Sequence, residues 1–257
     1  MMVRGTIIEK DETGSTNDDA KQLAIEGASH LTVVWAHRQT AGRGRHDRRW
    51  VAYDGNVFWS VIVRPQSGWR HTDLVYVNAL AVLRTLQERI GHEAMLRLKW
   101  PNDVLLNGFK VAGSLLECGG TWIEGRPEWL VIGTGINVVD HPSSPDLRYR
   151  ATSLRHAGFP SVTRDELIAP LLHSLSDEIE RWQKSGFSLV RARYLQAAYG
   201  LNETVRVGLS ADKSLYQDGI HRGLDEQGCL LLEVTPGTTR KLWSGDVIFK
   251  EGPSASS

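Results

Sequence analysis

No run of apolar residues in this sequence is long enough to span a bilayer. Stretches such as Val57–Val63 fall far short of the roughly 20 residues that a hydrocarbon core requires, and the amino terminus lacks an apolar leader core. Cysteine is nearly absent. Cys118 and Cys229 lie far apart and form no C-x-x-C or Cys/His spacing, so a metal or redox centre finds no support; both read as buried reduced thiols. An excess of charge is missing too. Lys+Arg and Asp+Glu each count 30, so no global field draws nucleic acid or acidic membranes, and any anion site must come from local clustering. No G-x-x-x-x-G-K-[ST] occurs, which removes a Walker A phosphate loop. Internal repeats are absent. A cytoplasmic protein is the expectation.

What is present is a chain of 257 residues, enough for one large domain or a large domain plus a small one with a sizeable core. Residues 3–9 read as a strand, and Gly14-Ser15-Thr16-Asn17 as a turn and helix cap, with Asp18 and Asp19 in the first helical turn and Gly27 past its end. Strands are expected at 31–36 and 57–63, with a mobile Gly- and Arg-rich loop between them. A helix over about 72–90 follows, then strands near 95–99, 103–106, 111–117 and 129–138. Thr163-Arg164-Asp165-Glu166 fits a capping box, with Leu167, Leu171, Leu175, Ile179 and Trp182 at helical spacing behind it; Pro170 should kink or restart that helix. From about 204 the pattern turns to short strands at 205–207, 219–224, 229–234, 240–243 and 247–249, the pattern of a small β-barrel.

Four segments carry chemistry. In Gly42-Arg43-Gly44-Arg45-His46-Asp47-Arg48-Arg49-Trp50, arginine forks and glycine-flanked backbone N–H groups suit a phosphate, although a solvated basic loop or a nucleic-acid contact has the same composition. In Lys99-Trp100-Pro101-Asn102-Asp103, a turn presents a carboxamide and a carboxylate between two strands, either as a plain hairpin or as ligands beside a nucleotide and Mg²⁺. Lys110 opens the apolar strand Lys110-Val111-Ala112-Gly113-Ser114-Leu115-Leu116-Glu117, just after the Asn107-Gly108 turn. Gly133-Thr134-Gly135-Ile136-Asn137 is a strand whose glycines serve either close packing or the approach of a flat ligand.

Taken together and in this order, Ser15-Thr16-Asn17, Gln39-Thr40-Ala41-Gly42-Arg43-Gly44-Arg45, Lys99-Trp100-Pro101-Asn102-Asp103, Lys110-x-x-Gly113-x-Leu115-x-Glu117 and Gly133-x-Gly135-x-Asn137 resemble the biotin protein ligase family. Gly219-Ile220-His221-Arg222-Gly223-Leu224-Asp225 and Gly228-x-Leu230 resemble that family's small carboxy-terminal domain. The resemblance implies an α+β fold: over 1–202, a catalytic domain whose mixed sheet and flanking helices are like those of class II aminoacyl-tRNA synthetases. An SH3-like β-barrel over 203–250 and a flexible tail over 251–257 would follow. Few residues precede Ser15, so the form resembled is the ligase without a DNA-binding domain.

The implied activity is ATP-dependent: biotin is activated as biotinyl-5'-AMP and passed to a lysine of the biotin carboxyl carrier protein of acetyl-CoA carboxylase. No nucleic acid or membrane takes part, and the protein would be a monomer or a homodimer. By resemblance, Ser15, Thr16, Asn17 and Gln39 surround the ureido ring, and Arg43, Gly44 and Arg45 belong to the loop that orders over biotin. Arg45, Arg48, Trp50, Asn102, Asn137 and Arg222 would hold ATP. Lys110 would meet the biotin carboxylate and the α-phosphate, and Asp103 would serve Mg²⁺ and the acceptor amine; with Arg45 these form the implied catalytic set. One departure stands out. His46-Asp47-Arg48 replaces the family's usual Arg-Gly-Arg; the loop is still expected to close, because Arg43, Arg45 and Arg48 remain, with weaker retention of the adenylate from the added negative charge. The rival readings are a lipoate–protein ligase, which shares the fold and the acyl adenylate, and a biotin-sensing module without turnover.

Overall fold

A computed structural model describes residues 5–46, 48–143, 150–209 and 215–249. Seven strands form a mixed sheet: β1 (Ile7–Thr13), β2 (Val33–Gln39), β3 (Val57–Val63), β4 (Leu96–Lys99), β5 (Asp103–Leu106), β6 (Phe109–Gly119) and β7 (Trp129–Ile136), in the order β1-β2-β3-β7-β6-β5-β4. Only β1 and β2 run parallel, and all other neighbours are antiparallel. The first strand lies four residues later than the apolar pattern suggested. Pairing of Ile7 with Val33 through to Thr13 with Gln39 carries the half-exposed edge strand across Lys10, Asp11 and Glu12, whose polarity hides it from a hydrophobic pattern.

Period-2 alternation sends the two faces of the sheet to different helices. Val33, Trp35, Trp59, Val61, Leu130 and Ile132 enter the main core, on which α2 (Leu74–Ile90) and α3 (Asp165–Gln196) pack. Val34, Ile62 and Val131 face the other way, against Ala20 and Ala24 of α1 (Thr16–Ile25). Ser15 occupies the N-cap position of α1 and Gly27 follows its end with φ 91°, but the Ser15 side chain makes no capping bond. Asn107 and Gly108 both take positive φ, 53° and 81°, as a tight hairpin turn demands. Glu166 accepts hydrogen bonds from the Thr163 N–H and hydroxyl, both at 2.9 Å, of which only the first belongs to the expected capping box, and Arg164 takes the N-cap position. Pro170, by contrast, lies inside α3 while the break falls at Gly186 (φ 72°, ψ 178°). Pro170 forgoes one backbone hydrogen bond, to Glu166 O, without ending the helix, whereas glycine alone adopts the Gly186 backbone without strain.

A second, antiparallel sheet of five strands follows: β8 (Thr204–Gly208), β9 (Tyr216–Leu224), β10 (Leu230–Thr235), β11 (Thr238–Leu242) and β12 (Asp246–Phe249), ordered β11-β10-β9-β8-β12. It is an open order, with β11 and β12 at its edges. Val205, Val207, Leu230 and Leu232 extend the main core into it, and Arg191 Nε donates to Leu224 O at 2.8 Å across the seam. Cys229 is buried as expected but Cys118 is exposed. No helix among the described residues is long and apolar enough to cross a membrane. The expected tail at 251–257 lies outside the described residues.

Candidate functional site

Strand register builds the floor of a cavity of about 410 Å³ that opens beside the start of α1, a size suited to a small-molecule ligand. Phe58, Gly135, Gly113 and Asp103 are cross-strand neighbours in one row, and Ser60, Gly133 and Leu115 in the next. A methyl group on Gly133 would overlap the Asn17 carboxamide, and one on Gly135 would overlap the Trp50 indole. Close packing is therefore what these glycines permit, and both also line the cavity.

At one end, the Thr16 N–H and hydroxyl donate to Gln39 Oε1 at 2.9 and 3.2 Å. Ser60 Oγ lies 2.7 Å from Thr16 Oγ1 and 2.6 Å from Asn17 Oδ1. The Asn17 amide donates to Glu117 Oε2 at 2.6 Å. Ser15, Thr16 and Asn17 are all buried and line the cavity with Gln39. Thr16 is thus held by Gln39 and Ser60, and Asn17 by Ser60 and Glu117.

At the centre, Asp103 is 6% exposed and sits between two ammonium groups, with Lys110 Nζ 2.6 Å from Oδ1 and Lys99 Nζ 3.2 Å from Oδ2. Burial opposes the charge on Asp103, but the two lysines outweigh it and hold the carboxyl below its usual range. Burial pushes the Lys99 ammonium down to about 8, with Asp103 opposing the shift. Lys110 also lies 5.4 Å from the centre of the Trp50 ring.

Over this centre folds the arginine segment, closed by Trp50 N–H to Gly42 O at 2.9 Å and by a bridge between Arg43 and Arg49. Arg43 forks onto Asp18 at 2.6 and 2.7 Å, and that guanidinium holds the Asp18 carboxyl well below the usual range. Arg45 donates to Gly245 O at 3.2 Å and reaches Asn102 Oδ1 at 3.5 Å. Arg48 pairs with Asp246, and Arg45 and His46 lie within 3.8 and 3.9 Å of the same carboxylate. Asp246, 8% exposed at the start of β12, lines the cavity and brings the second sheet to it. Nothing local in Trp243-Ser244-Gly245-Asp246 signals this role. Asp47 lies outside the described residues.

Among the described residues, three cavity-lining side chains each carry a buried polar atom without a hydrogen-bond partner: the Trp50 and Trp59 Nε1 donors and the Asn137 Oδ1 acceptor. Asn137 Nδ2 donates to Thr152 O at 3.0 Å, and its buried oxygen has no partner among the described residues. Of the residues expected at the site, Ser15, Thr16, Asn17, Gln39, Arg43, Gly44, Arg45, Arg48, Trp50, Asn102, Asp103, Lys110 and Asn137 all line this one cavity. Arg222 does not: its guanidinium is held by Glu233 at 2.6 Å and Asn202 at 3.0 Å, on the second sheet. Nor does a metal cradle form. Both oxygens of Asp103 face ammonium groups, and the described residues contain no cluster of three His, Cys, Asp or Glu side chains fit to hold an ion.

Residues 10–137 match the model of the biotin/lipoate A/B protein ligase family. The chain is 36% identical to the biotin–[acetyl-CoA-carboxylase] ligase of Paracoccus denitrificans, covering 88% of this chain and 93% of that one. It is also 36% identical to the Mycobacterium tuberculosis protein of the same name, covering 92% and 86%. Among solved structures, the biotin protein ligase from Aquifex aeolicus in complex with biotin and ATP superposes with a TM-score of 0.76 at 27% identity, over 94% of this chain and 97% of that one.

Proposed function

The chain belongs to the biotin protein ligase family, and from that premise we infer that its cavity joins biotin to ATP and hands the biotinyl group to a protein lysine. It is an ATP-dependent biotin–protein ligase, with the carboxyl carrier protein of acetyl-CoA carboxylase as the proposed acceptor. The observation that carries this reading is the convergence of Lys110, Asp103 and the arginine segment on one cavity floored by the Gly113–Gly135 and Leu115–Gly133 rows.

In the first half-reaction a biotin carboxylate oxygen attacks the α-phosphorus of ATP and pyrophosphate leaves; in the second, the acceptor amine attacks the acyl carbon and AMP leaves. One anion attacks another in the first step, so fixed positive charge is what the protein must supply. Lys110, anchored on Asp103 at 2.6 Å, suits the carboxylate and α-phosphate, and Arg45 and Arg48 suit the outer phosphates. The polar wall of Ser15, Thr16, Asn17 and Gln39 suits the ureido edge, where a site built for polar partners rejects ligands that lack them. The unpaired Trp50 Nε1 and Asn137 Oδ1 suit a nucleotide base and its sugar. Asp103, held ionised, would accept a hydrogen bond from the incoming amine and receive its proton. Mg²⁺ would neutralise phosphate charge when bound; because the described residues offer no cradle, we assign it to the phosphates of ATP as their companion.

The second sheet is the proposed small SH3-like domain, divided from the catalytic domain near residue 202. A cytoplasmic setting, with ATP at hand and thiols reduced, fits the free cysteines. The deciding experiment is mass spectrometry of a biotin carboxyl carrier domain after incubation with this protein, MgATP and biotin, with a lipoyl domain and lipoate in parallel. A biotinyl increment on the carrier lysine is the expected result. Lipoylation alone would select a lipoate ligase, and no modification of either domain would refute turnover.

A further inference from the structure

Asn17 enters the cavity with its carboxamide already oriented, and the group that orients it is Glu117. A carboxamide presents nearly the same shape in either of two flips, but the two flips exchange a donor for an acceptor and so present opposite patterns to a ligand. The Asn17 Nδ2 donates to Glu117 Oε2 at 2.6 Å, and a carboxylate can only accept, so the flip with Nδ2 toward Glu117 is selected. On the other side, Ser60 Oγ lies 2.6 Å from Asn17 Oδ1, a contact that by itself tolerates both flips because a hydroxyl donates or accepts. Backbone packing against Gly133 leaves the carboxamide no room to swing away.

Glu117 itself is held. Lys21 Nζ sits 3.0 Å from Oε1 and Arg43 Nη2 3.6 Å from Oε2, so its charge is compensated and its carboxylate points steadily at Asn17. It stands two residues beyond Leu115, on the same face of β6, yet does not itself line the cavity. Its action therefore passes through Asn17.

We propose that Glu117 is a positioning residue for biotin specificity, fixing the polarity of the Asn17 carboxamide that the ureido ring meets. This rests on the assignment of Asn17 to the ureido edge, and the test separates the two. In Glu117→Gln the side chain keeps its shape but can accept or donate, so both flips of Asn17 are allowed. The expected result is a rise of about tenfold in the KM for biotin, with kcat and the KM for ATP within about twofold of the parent. A charge-assisted hydrogen bond replaced by a neutral, ambiguous one accounts for that size.

A spectroscopic readout accompanies the kinetics: the side-chain amide resonances of Asn17, assigned by their loss in Asn17→Ala, should shift and broaden in Glu117→Gln. Lys21→Met, which removes a partner of Glu117 without touching Asn17, serves as a second variant and should raise the biotin KM by no more than about threefold. An unchanged biotin KM in Glu117→Gln overturns the proposal. Should Asn17→Ala raise that KM while Glu117→Gln does not, the ureido assignment stands and only the orienting role falls; should neither raise it, the assignment of Asn17 falls as well. An equal loss in kcat and both KM values, with a lowered melting temperature, would mark Glu117 as merely structural and also overturn it.

Discussion

Replacing Asp103 by Asn preserves the shape of the side chain and removes the carboxylate that lies 2.6 Å from Lys110 and 3.2 Å from Lys99. Breaking a buried pair from one side costs about 3–5 kcal/mol when the surviving charge has no escape. Here an escape exists, because Lys99 titrates near 8 even with Asp103 beside it and would surrender its proton more readily without it. The expected loss of folding stability is therefore at the low end, about 3 kcal/mol. Catalysis should suffer unequally. Lys110 keeps its charge and loses its anchor, so pyrophosphate release should slow by about tenfold, whereas transfer loses the proposed proton acceptor and should slow by about 100-fold or more. Single-turnover transfer from preformed biotinyl-5'-AMP to a carrier domain isolates the second step, and chemical denaturation checks the first figure. Transfer within about twofold of the parent would remove Asp103 from any role with the acceptor amine.

Other expectations follow from neighbouring contacts. In Gly135→Ala the new methyl group displaces the Trp50 indole, so the KM for ATP should rise about tenfold while that for biotin changes little; equal KM values would show that Trp50 does not hold the nucleotide. Asp246→Ala removes the carboxylate that pairs with Arg48 and lies 3.8 Å from Arg45, and a rise of about fivefold or more in the KM for ATP is expected in steady-state assays, with an unchanged value detaching the Asp246 carboxylate from the site. Burial pushes the His221 imidazole down to about 4, from an ordinary value of 6.5. The unfolded chain then binds a proton that the folded one refuses, so stability is lost as pH falls from about 6.5 to 4, by about 3 kcal/mol in all. Urea unfolding of His221→Gln at pH 7, 5.5 and 4 should show a correspondingly flatter decline than the parent, and parallel declines would contradict it.

What the chain determined on its own was whatever depends on near neighbours. The Asn107-Gly108 turn, the Gly14–Asn17 entry to α1 and the Thr163–Glu166 contact are each decided within a few residues, and the structure carries all three. The site segments were legible for the same reason: each is contiguous, and its spacing holds the chemistry wherever the fold puts it. Elements governed by pairing were less so. β1 runs through polar residues because β2 lies beside it, and α3 breaks at Gly186 rather than Pro170. Only the tertiary structure decided which residues meet. Arg45 touches Gly245 O, 200 positions away, and Asp246 completes the arginine segment although no periodicity links them. Arg222, from a segment as recognisable as the rest, turns instead to Glu233 and Asn202. The orientation of Asn17 likewise depends on Glu117, 100 positions further along and delivered by the register of β6 against β7. Local propensity and turn chemistry act over a few residues, whereas charge complementarity and hydrogen-bond polarity act between whichever groups the packed sheets bring within about 3 Å, and that choice belongs to the whole fold.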